Sequence, residues 1–179
     1  MSRELLALTV LQPFASAIAR FGKDVENRTW LPGARLPVGG WLAIHAGMRD
    51  YPGANLDAFQ VWFAFAAGSH LSADDADVAY EAIQVAGAWR DRIVSDRCRS
   101  SLPHAEIVAV AQVAAFSDPA AKASPWAVPG QEQWRFGRVF ALPEPVPCKG
   151  AQGLWRVPDD VAARVRAQWT PFALAPEAP

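Results

Sequence analysis

The residues that decide the fold form two stretches near the start of the chain, LTVLQPFAS at residues 8–16 and GKDVENRTW at residues 22–30. The first belongs to an apolar segment, residues 4–11, whose Leu, Val and Thr content predicts a buried strand. Proline suits the first turn of a helix, and the apolar residues after Pro13 recur at helical spacing, so a short helix follows. Gly22 is the residue type that commonly stops a helix. The second stretch therefore begins at a junction between a helix and a strand.

The β-pattern continues beyond this junction. Residues 24–30 and residues 41–46 alternate, which is typical of strands because successive side chains point to opposite faces of a sheet. Trp41 and His45 fall on one face of the later strand, and its aliphatic residues fall on the other. We therefore expect one of these faces to be core and the other to be cleft or surface.

The second half of the chain returns to strands and ends in a helix. Strand patterns cover residues 106–116, 133–142 and 153–157, separated by turns that contain Pro and Gly. After Pro158, apolar residues at helical spacing predict a last amphipathic helix. Strands at both ends, with helices between and after them, predict an α+β domain on one mostly antiparallel sheet, which we expect to be closed.

Residues 48–103 carry a different pattern. Their apolar residues recur at helical spacing, which predicts a helical insertion between two strands. We expect a single domain over residues 1–170 that contains this insertion. The Ala- and Pro-containing residues 171–179 are expected to form a flexible tail.

Composition places the chain among globular proteins, since 51% of its residues are hydrophobic and 20% are charged. A formal net charge of −1 argues against coating polyanions through bulk charge. The apolar runs are too short to span a bilayer and the first residues lack a secretory cleavage pattern, so we expect a cytoplasmic protein without membrane contact. Cys98 and Cys148 have no metal-binding spacing and are expected to be free thiols.

The opening stretches resemble the ASCH family, named after the homology region of the activating signal cointegrator. The family signature is a Gly-x-Lys or Gly-Lys step followed by Glu-x-Arg, placed between a first helix and a strand. Gly22, Lys23, Glu26 and Arg28 stand in that order here. Further stretches that fit the family lie at residues 40–46, 107–116 and 142–157.

The resemblance implies a PUA-like closed β-barrel with flanking helices and a cleft lined by the motif. Members of the family have been assigned to RNA or DNA binding, to ribonuclease activity and to hydrolysis of acetylated cytidine. We therefore expect a nucleic-acid partner, with single-stranded RNA favoured, and no cofactor. Fold alone does not choose among these activities.

The motif residues have two interpretations each. Lys23 would be a point cation for phosphate, or a base if the protein is an enzyme, and otherwise a lysine paired with Asp24 or Glu26. Glu26 and Arg28 share a strand face, so they would form a structural ion pair or bind ligand directly, with Glu26 catalytic if the protein is an enzyme. For Arg28 we favour contact with phosphate or a base.

Four further residues are candidates for the same site. Gln12 would cap the first helix or contact a base edge, and Trp41 would stack a base or belong to the core. His45 is a candidate contact, and it has no second ligand at metal-binding spacing, so no metal is expected. Gln112 would form a wall of the cleft. We predict that the motif residues converge on one concave site with Gln12 and with either Trp41 or His45.

Two other functions stay open. In the acetylcytidine-hydrolysing relatives a Lys, a Thr and a Glu carry the chemistry, but Glu26 and Gln112 stand here at the places of the Thr and the Glu. A neutral amide is no general base, so a metal-independent ribonuclease is the better enzymatic alternative. The third alternative is a protein-interaction adaptor that presents an apolar patch of the insertion, with Trp62, Phe65 and Trp89.

Overall fold

The computed structural model describes residues 4–12, 14–20, 22–50, 103–117, 124 and 126–173. The chain divides into two units, Met1–Asp50 together with Pro103–Pro179, and Tyr51–Leu102. The helices and the apolar patch predicted for the insertion lie outside the described residues and stay predictions.

The described residues of the first unit form six strands and two α-helices, as the sequence pattern predicts. In chain order they are β1 (Leu6–Gln12), α1 (Phe14–Arg20), β2 (Val25–Arg28), β3 (Trp41–Asp50), β4 (Glu106–Phe116), β5 (Glu132–Pro147), β6 (Leu154–Arg156) and α2 (Asp159–Ala173). Two strands are longer than the sequence pattern predicts. Strand β3 continues to Asp50, and β5 continues to Pro147. The last helix extends to Ala173, past the expected domain boundary at residue 170.

The strands form one mixed sheet in the order β2-β5-β4-β3-β1-β6. Strands β1 and β3 run parallel, and the other four neighbouring pairs are antiparallel. A parallel pair needs a long crossover, and here α1 and β2 lie between the two strands in the chain. The α+β class and the mostly antiparallel sheet are therefore confirmed.

The expectation of a closed barrel is wrong, because the sheet is open between its edge strands β2 and β6. Strand β6 has three residues and pairs with β1 only from Leu6 to Leu8, so it ends before the Thr9 carbonyl. That carbonyl accepts a hydrogen bond of 2.7 Å from the Arg28 side chain at the end of β2. A guanidinium group thus reaches β1 where a further strand would have to pair to close the barrel.

Each face of the sheet buries its own apolar cluster. Ala15 and Ile18 of α1 pack on the face that carries Leu8 and Ile44. The opposite face, with Ala7 and Ala43, is covered by α2. Strand β3 is therefore core on both sides, which is why its alternation did not distinguish a buried face from an open one.

Bulges interrupt the alternation of β4. Ile44 pairs with Ala109 but His45 pairs with Ile107, so Val108 is the extra residue of a bulge. Val108 and Val110 consequently belong to clusters on opposite faces. Strict alternation along residues 106–116 would place Val108, Val110 and Gln112 on one face, and the bulge breaks that alternation.

Trp134 should be a principal stabilising residue of the cluster under α1. It is fully buried, its ring packs edge-on against Trp30 and Phe116 at 4.9 and 5.5 Å, and its indole N–H donates to the Trp30 carbonyl. We expect Trp134→Ala to lower the free energy of unfolding by about 3–5 kcal/mol. Urea unfolding followed by circular dichroism measures the loss, and Val38→Ala, at a side chain 61% exposed, serves as control. Equal losses in the two variants would contradict this assignment.

Candidate functional site

The junction between α1 and β2 buries the lysine of the motif. Gly22 has a φ of +68°, which glycine adopts without strain, and the Lys23 backbone N–H donates to the Ala17 carbonyl in α1 at 3.2 Å. This reversal directs the Lys23 side chain inward, where only 3% of the residue is exposed. Its Nζ donates to the Val25 carbonyl and, at 2.9 Å, to Glu26 Oε2.

Aromatic rings complete the surroundings of this ammonium group. Lys23 Nζ lies 5.7 Å from the centroid of the Phe14 ring and 5.9 Å from that of Trp126. Both distances are within the range of a cation–π interaction. Lys23 therefore has its partners inside the protein, and it serves the site by holding Glu26.

Glu26 bridges two cations. Its second oxygen, Oε1, lies 3.0 Å from Arg28 Nη2, while Oε2 binds Lys23. We call these three residues the Lys23–Glu26–Arg28 network. With two positive groups and one negative group, it carries one formal positive charge in excess.

Arg28 is the open end of this network. Its Nη2 also donates to the Thr9 carbonyl, and 23% of its side chain is exposed, against 4% for Lys23 and 11% for Glu26. The Nε atom is buried and has no acceptor among the described residues. The excess charge of the network is thus nearest to solvent at Arg28.

Thr9 connects this network to His45. The Thr9 hydroxyl lies 3.3 Å from His45 Nδ1, donates to the Ala151 carbonyl at 2.8 Å, and accepts from the Trp155 indole N–H at 3.1 Å. On the other side of the imidazole, Nε2 lies 2.9 Å from the Cys148 carbonyl. Arg28 and His45 therefore bind the backbone and the side chain of one residue.

Burial favours the neutral form of the His45 imidazole. A carbonyl oxygen only accepts, so Nε2 carries the hydrogen that the Cys148 carbonyl receives. Burial lowers the pKa of His45, and the hydrogen bond to Cys148 opposes this shift only in part. His45 is 1% exposed, so its hydrogen bonds lie inside the protein.

The segment after β5 closes over the imidazole. A Cβ atom at Gly150 would lie 2.6 Å from His45 Nδ1 and 3.0 Å from the Thr9 hydroxyl. Only glycine permits the backbone to approach this closely. The neighbouring Cys148 is a buried free thiol, as expected, and burial together with the charge of Asp160 raises the pKa of its thiol.

The other predicted site residues are placed differently. Gln12 is completely buried and caps α1, since its Oε1 accepts from the Ser16 backbone N–H while its Nε2 donates to the Pro103 carbonyl. Of the two interpretations of Gln12, the structure shows the helix cap.

Trp41 and Gln112 are cross-strand partners in β3 and β4. Gln112 donates to the Gly39 carbonyl at 3.2 Å. His45 lies four positions after Trp41 in β3, which at ~3.3 Å per residue is about 13 Å of backbone. Lys23, Glu26, Arg28 and His45 are thus joined through Thr9, and Trp41 and Gln112 belong to another part of the sheet.

Thr9 was not predicted as a site residue. A threonine within an apolar strand indicates strand propensity as readily as hydrogen bonding. Its position just beyond the end of the β6 pairing follows from sheet topology, which the sequence pattern did not provide.

Comparison with family models and with curated proteins found no match to this chain. The ASCH resemblance therefore rests on the motif residues themselves and stays a prediction. In the described part of the chain, no group of His, Cys, Asp and Glu is arranged to hold a metal ion. No helix of that part is long and apolar enough to cross a membrane.

The close approach of Gly150 to His45 predicts a cost for any added side chain. We expect Gly150→Ala to lower the free energy of unfolding by about 1–3 kcal/mol, because the added methyl group forces the segment off the imidazole. Lys149→Ala removes an exposed side chain from the same segment. This control should change the free energy of unfolding by less than about 0.5 kcal/mol. Chemical denaturation of both variants tests this. A Gly150→Ala protein as stable as Lys149→Ala would refute the packing described.

The lowered pKa of His45 predicts loss of stability on acidification. The unfolded chain titrates near pH 6.5 and the folded protein lower, so between these values the unfolded state binds more protons. The contribution of the neutral His45 to the free energy of unfolding is fully present above about pH 6.5, and it is lost as the pH falls below that value. Unfolding measurements between pH 8 and pH 5.5 should show a smaller decline for His45→Gln than for wild type. Parallel declines would argue against a buried neutral imidazole.

Proposed function

We propose that this protein binds single-stranded nucleic acid, RNA in the first place, and that the strand contacts the Lys23–Glu26–Arg28 network at Arg28. The observation that carries the proposal is the excess positive charge of this largely buried network. A buried charge is costly unless it is paired, and Glu26 can compensate only one of its two cationic neighbours. An anionic group at Arg28 would compensate the other.

The chemistry of Arg28 suits a phosphate or a base edge. A guanidinium group presents five N–H donors in a planar fork that matches phosphate oxygens and the acceptors of guanine. Glu26 and the Thr9 carbonyl both bind Nη2, and these two contacts fix the orientation of the fork. Half-buried Trp30, two residues further along the chain, provides aromatic surface on which a base would stack.

Lys23 and Gln12 support this contact indirectly. Lys23 holds the carboxylate of Glu26, and Gln12 fixes the start of α1. The resemblance to the ASCH family, whose members include nucleic-acid-binding proteins, favours the same function. We extend the proposal to the fold, as an open variant of the PUA-like architecture.

The enclosed lysine favours binding over hydrolysis. A lysine that acts as a base or nucleophile needs an amine within reach of the substrate. Here the amine is held by Glu26 and the Val25 carbonyl beneath two aromatic rings. Single-stranded RNA incubated with the protein in EDTA should therefore be recovered intact.

Arg28→Gln tests the proposed contact, since it removes the charge and retains a polar side chain. We expect the Kd for a fluorescein-labelled single-stranded RNA, measured by anisotropy, to rise at least about tenfold. The slope of log affinity against log salt should become shallower by roughly 0.7, the value for one phosphate contact on a single strand. Arg28→Lys should keep the slope and lose part of the affinity, because it retains the charge without the fork.

Arg156→Gln is the matched control. Arg156 is an exposed arginine that binds Asp159 at 2.7 Å, and its loss changes the net charge by the same amount. The control should bind RNA like wild type. If both Gln variants lose the same affinity while circular dichroism shows them folded, general charge and not the network drives binding. Unchanged affinity in Arg28→Gln would refute the proposal.

A further inference from the structure

A second region of the molecule has the features of a ligand site and shares no residue with the Lys23–Glu26–Arg28 network. It is a cavity of about 360 Å³, within the size range of small-molecule pockets. Three segments line it: residues 4–6, residues 35–41, and the last turns of α2 with Arg166 and Trp169.

The cavity has an apolar floor and aromatic walls. Leu5, Leu6 and Leu36 are buried beneath it. Trp41 and Trp169 stand side by side in the lining, with ring centroids 5.2 Å apart and planes inclined by 56°. Such a surface suits a flat apolar ring, because aromatic rings bury large area and favour offset or tilted contacts.

The charged lining residues are predominantly basic. Among the described residues of the lining, Arg35 and Arg166 are basic and Glu4 is acidic. Arg35 is exposed, and its Nη1 donates to the Leu154 carbonyl at 2.8 Å, which fixes the side chain and leaves further guanidinium donors for a ligand. The lining of the cavity therefore combines an aromatic surface with cationic side chains.

Gly39 and Gly40 determine the path of the backbone beside Trp41. Gly40 donates to the Pro37 carbonyl, and a Cβ atom on Gly40 would lie 2.7 Å from that oxygen. Its neighbour Gly39 is anchored through its N–H to the Val113 carbonyl and through its own carbonyl to Gln112. The two glycines thus allow the segment before β3 to turn tightly along the rim of the cavity.

We propose that this cavity binds a nucleotide, with the base against Trp41 and Trp169 and the phosphate toward Arg35 and Arg166. A ligand for this cavity needs an aromatic ring and an anionic group that is close enough to the ring for both to lie in the cavity. That ring and anion belong either to a free mononucleotide or to one nucleotide of a strand. The inference stands on residues separate from those of the proposed function, so either can fail alone.

The experiment uses isothermal titration calorimetry on the full chain and compares four kinds of ligand. These are the four nucleoside monophosphates, the corresponding nucleosides, inorganic phosphate, and a single-stranded oligonucleotide. We expect at least one mononucleotide to bind, its nucleoside to bind at least about tenfold more weakly, and phosphate alone to give no saturable heat, because both the aromatic surface and the cationic side chains are needed. Binding of the oligonucleotide but of no mononucleotide would identify the strand as the source of the ligand, provided that it depends on Arg166.

Arg166→Gln should weaken nucleotide binding about tenfold, while Arg164→Gln is the matched control. Arg164 is an exposed arginine on the same helix and does not line the cavity. Trp169→Phe, which retains a ring, should bind better than Trp169→Leu. If Arg164→Gln and Arg166→Gln behave alike, or if neither nucleotide nor strand binding depends on Arg166, the proposal is overturned.

The two proposals are separated by crossing the variants. Arg28→Gln should leave the affinity for a mononucleotide unchanged, and it should lower the salt slope for single-stranded RNA by the same roughly 0.7 whether Arg166 or Gln stands at position 166. Loss of both kinds of binding in Arg28→Gln alone would place the nucleotide at the network and refute the cavity site.

Discussion

The carboxylate of Glu26, held between Lys23 and Arg28, is the interaction on which the rest of this site depends. It pairs with a lysine that is almost fully buried, and a buried ammonium group without a partner would be very costly. It also aims Arg28 at the Thr9 carbonyl, where the sheet has no further strand. One acidic side chain thereby connects the α1–β2 junction to the central strands.

The second constraint is the double burial of the central strands. Because α1 covers one face and α2 the other, polar side chains on β1 and β3 must find partners within the sheet layers. The Thr9 hydroxyl donates to the Ala151 carbonyl, and His45 Nε2 binds the Cys148 carbonyl. The position of that segment is consequently set by hydrogen bonds to two side chains, with Gly150 at the closest approach.

Much of this architecture follows from local pattern. The strand at 106–116 and the helix after Pro158 were predictable because apolar periodicity and proline act on neighbouring residues, and Gly22 marked the helix end for the same reason. The open sheet and the bulge at Val108 were not, since both depend on which strands meet and where pairing stops. Similarly, the motif indicated that Lys23 and Glu26 interact, but its spacing could not reveal that Thr9 joins them to His45.

The connection between β3 and β4 has a consequence for how this protein can change over evolutionary time. The chain leaves one strand at Asp50 and returns near Pro103 beside the neighbouring antiparallel strand, with Ala46 opposite Glu106. Hydrogen bonds from Gln12 to the Pro103 carbonyl and from the Ala105 N–H to the Ala46 carbonyl hold the returning strand. Because the residues that hold this register flank the intervening sequence, descendants could lengthen, shorten or exchange that sequence while the register of the sheet is inherited unchanged.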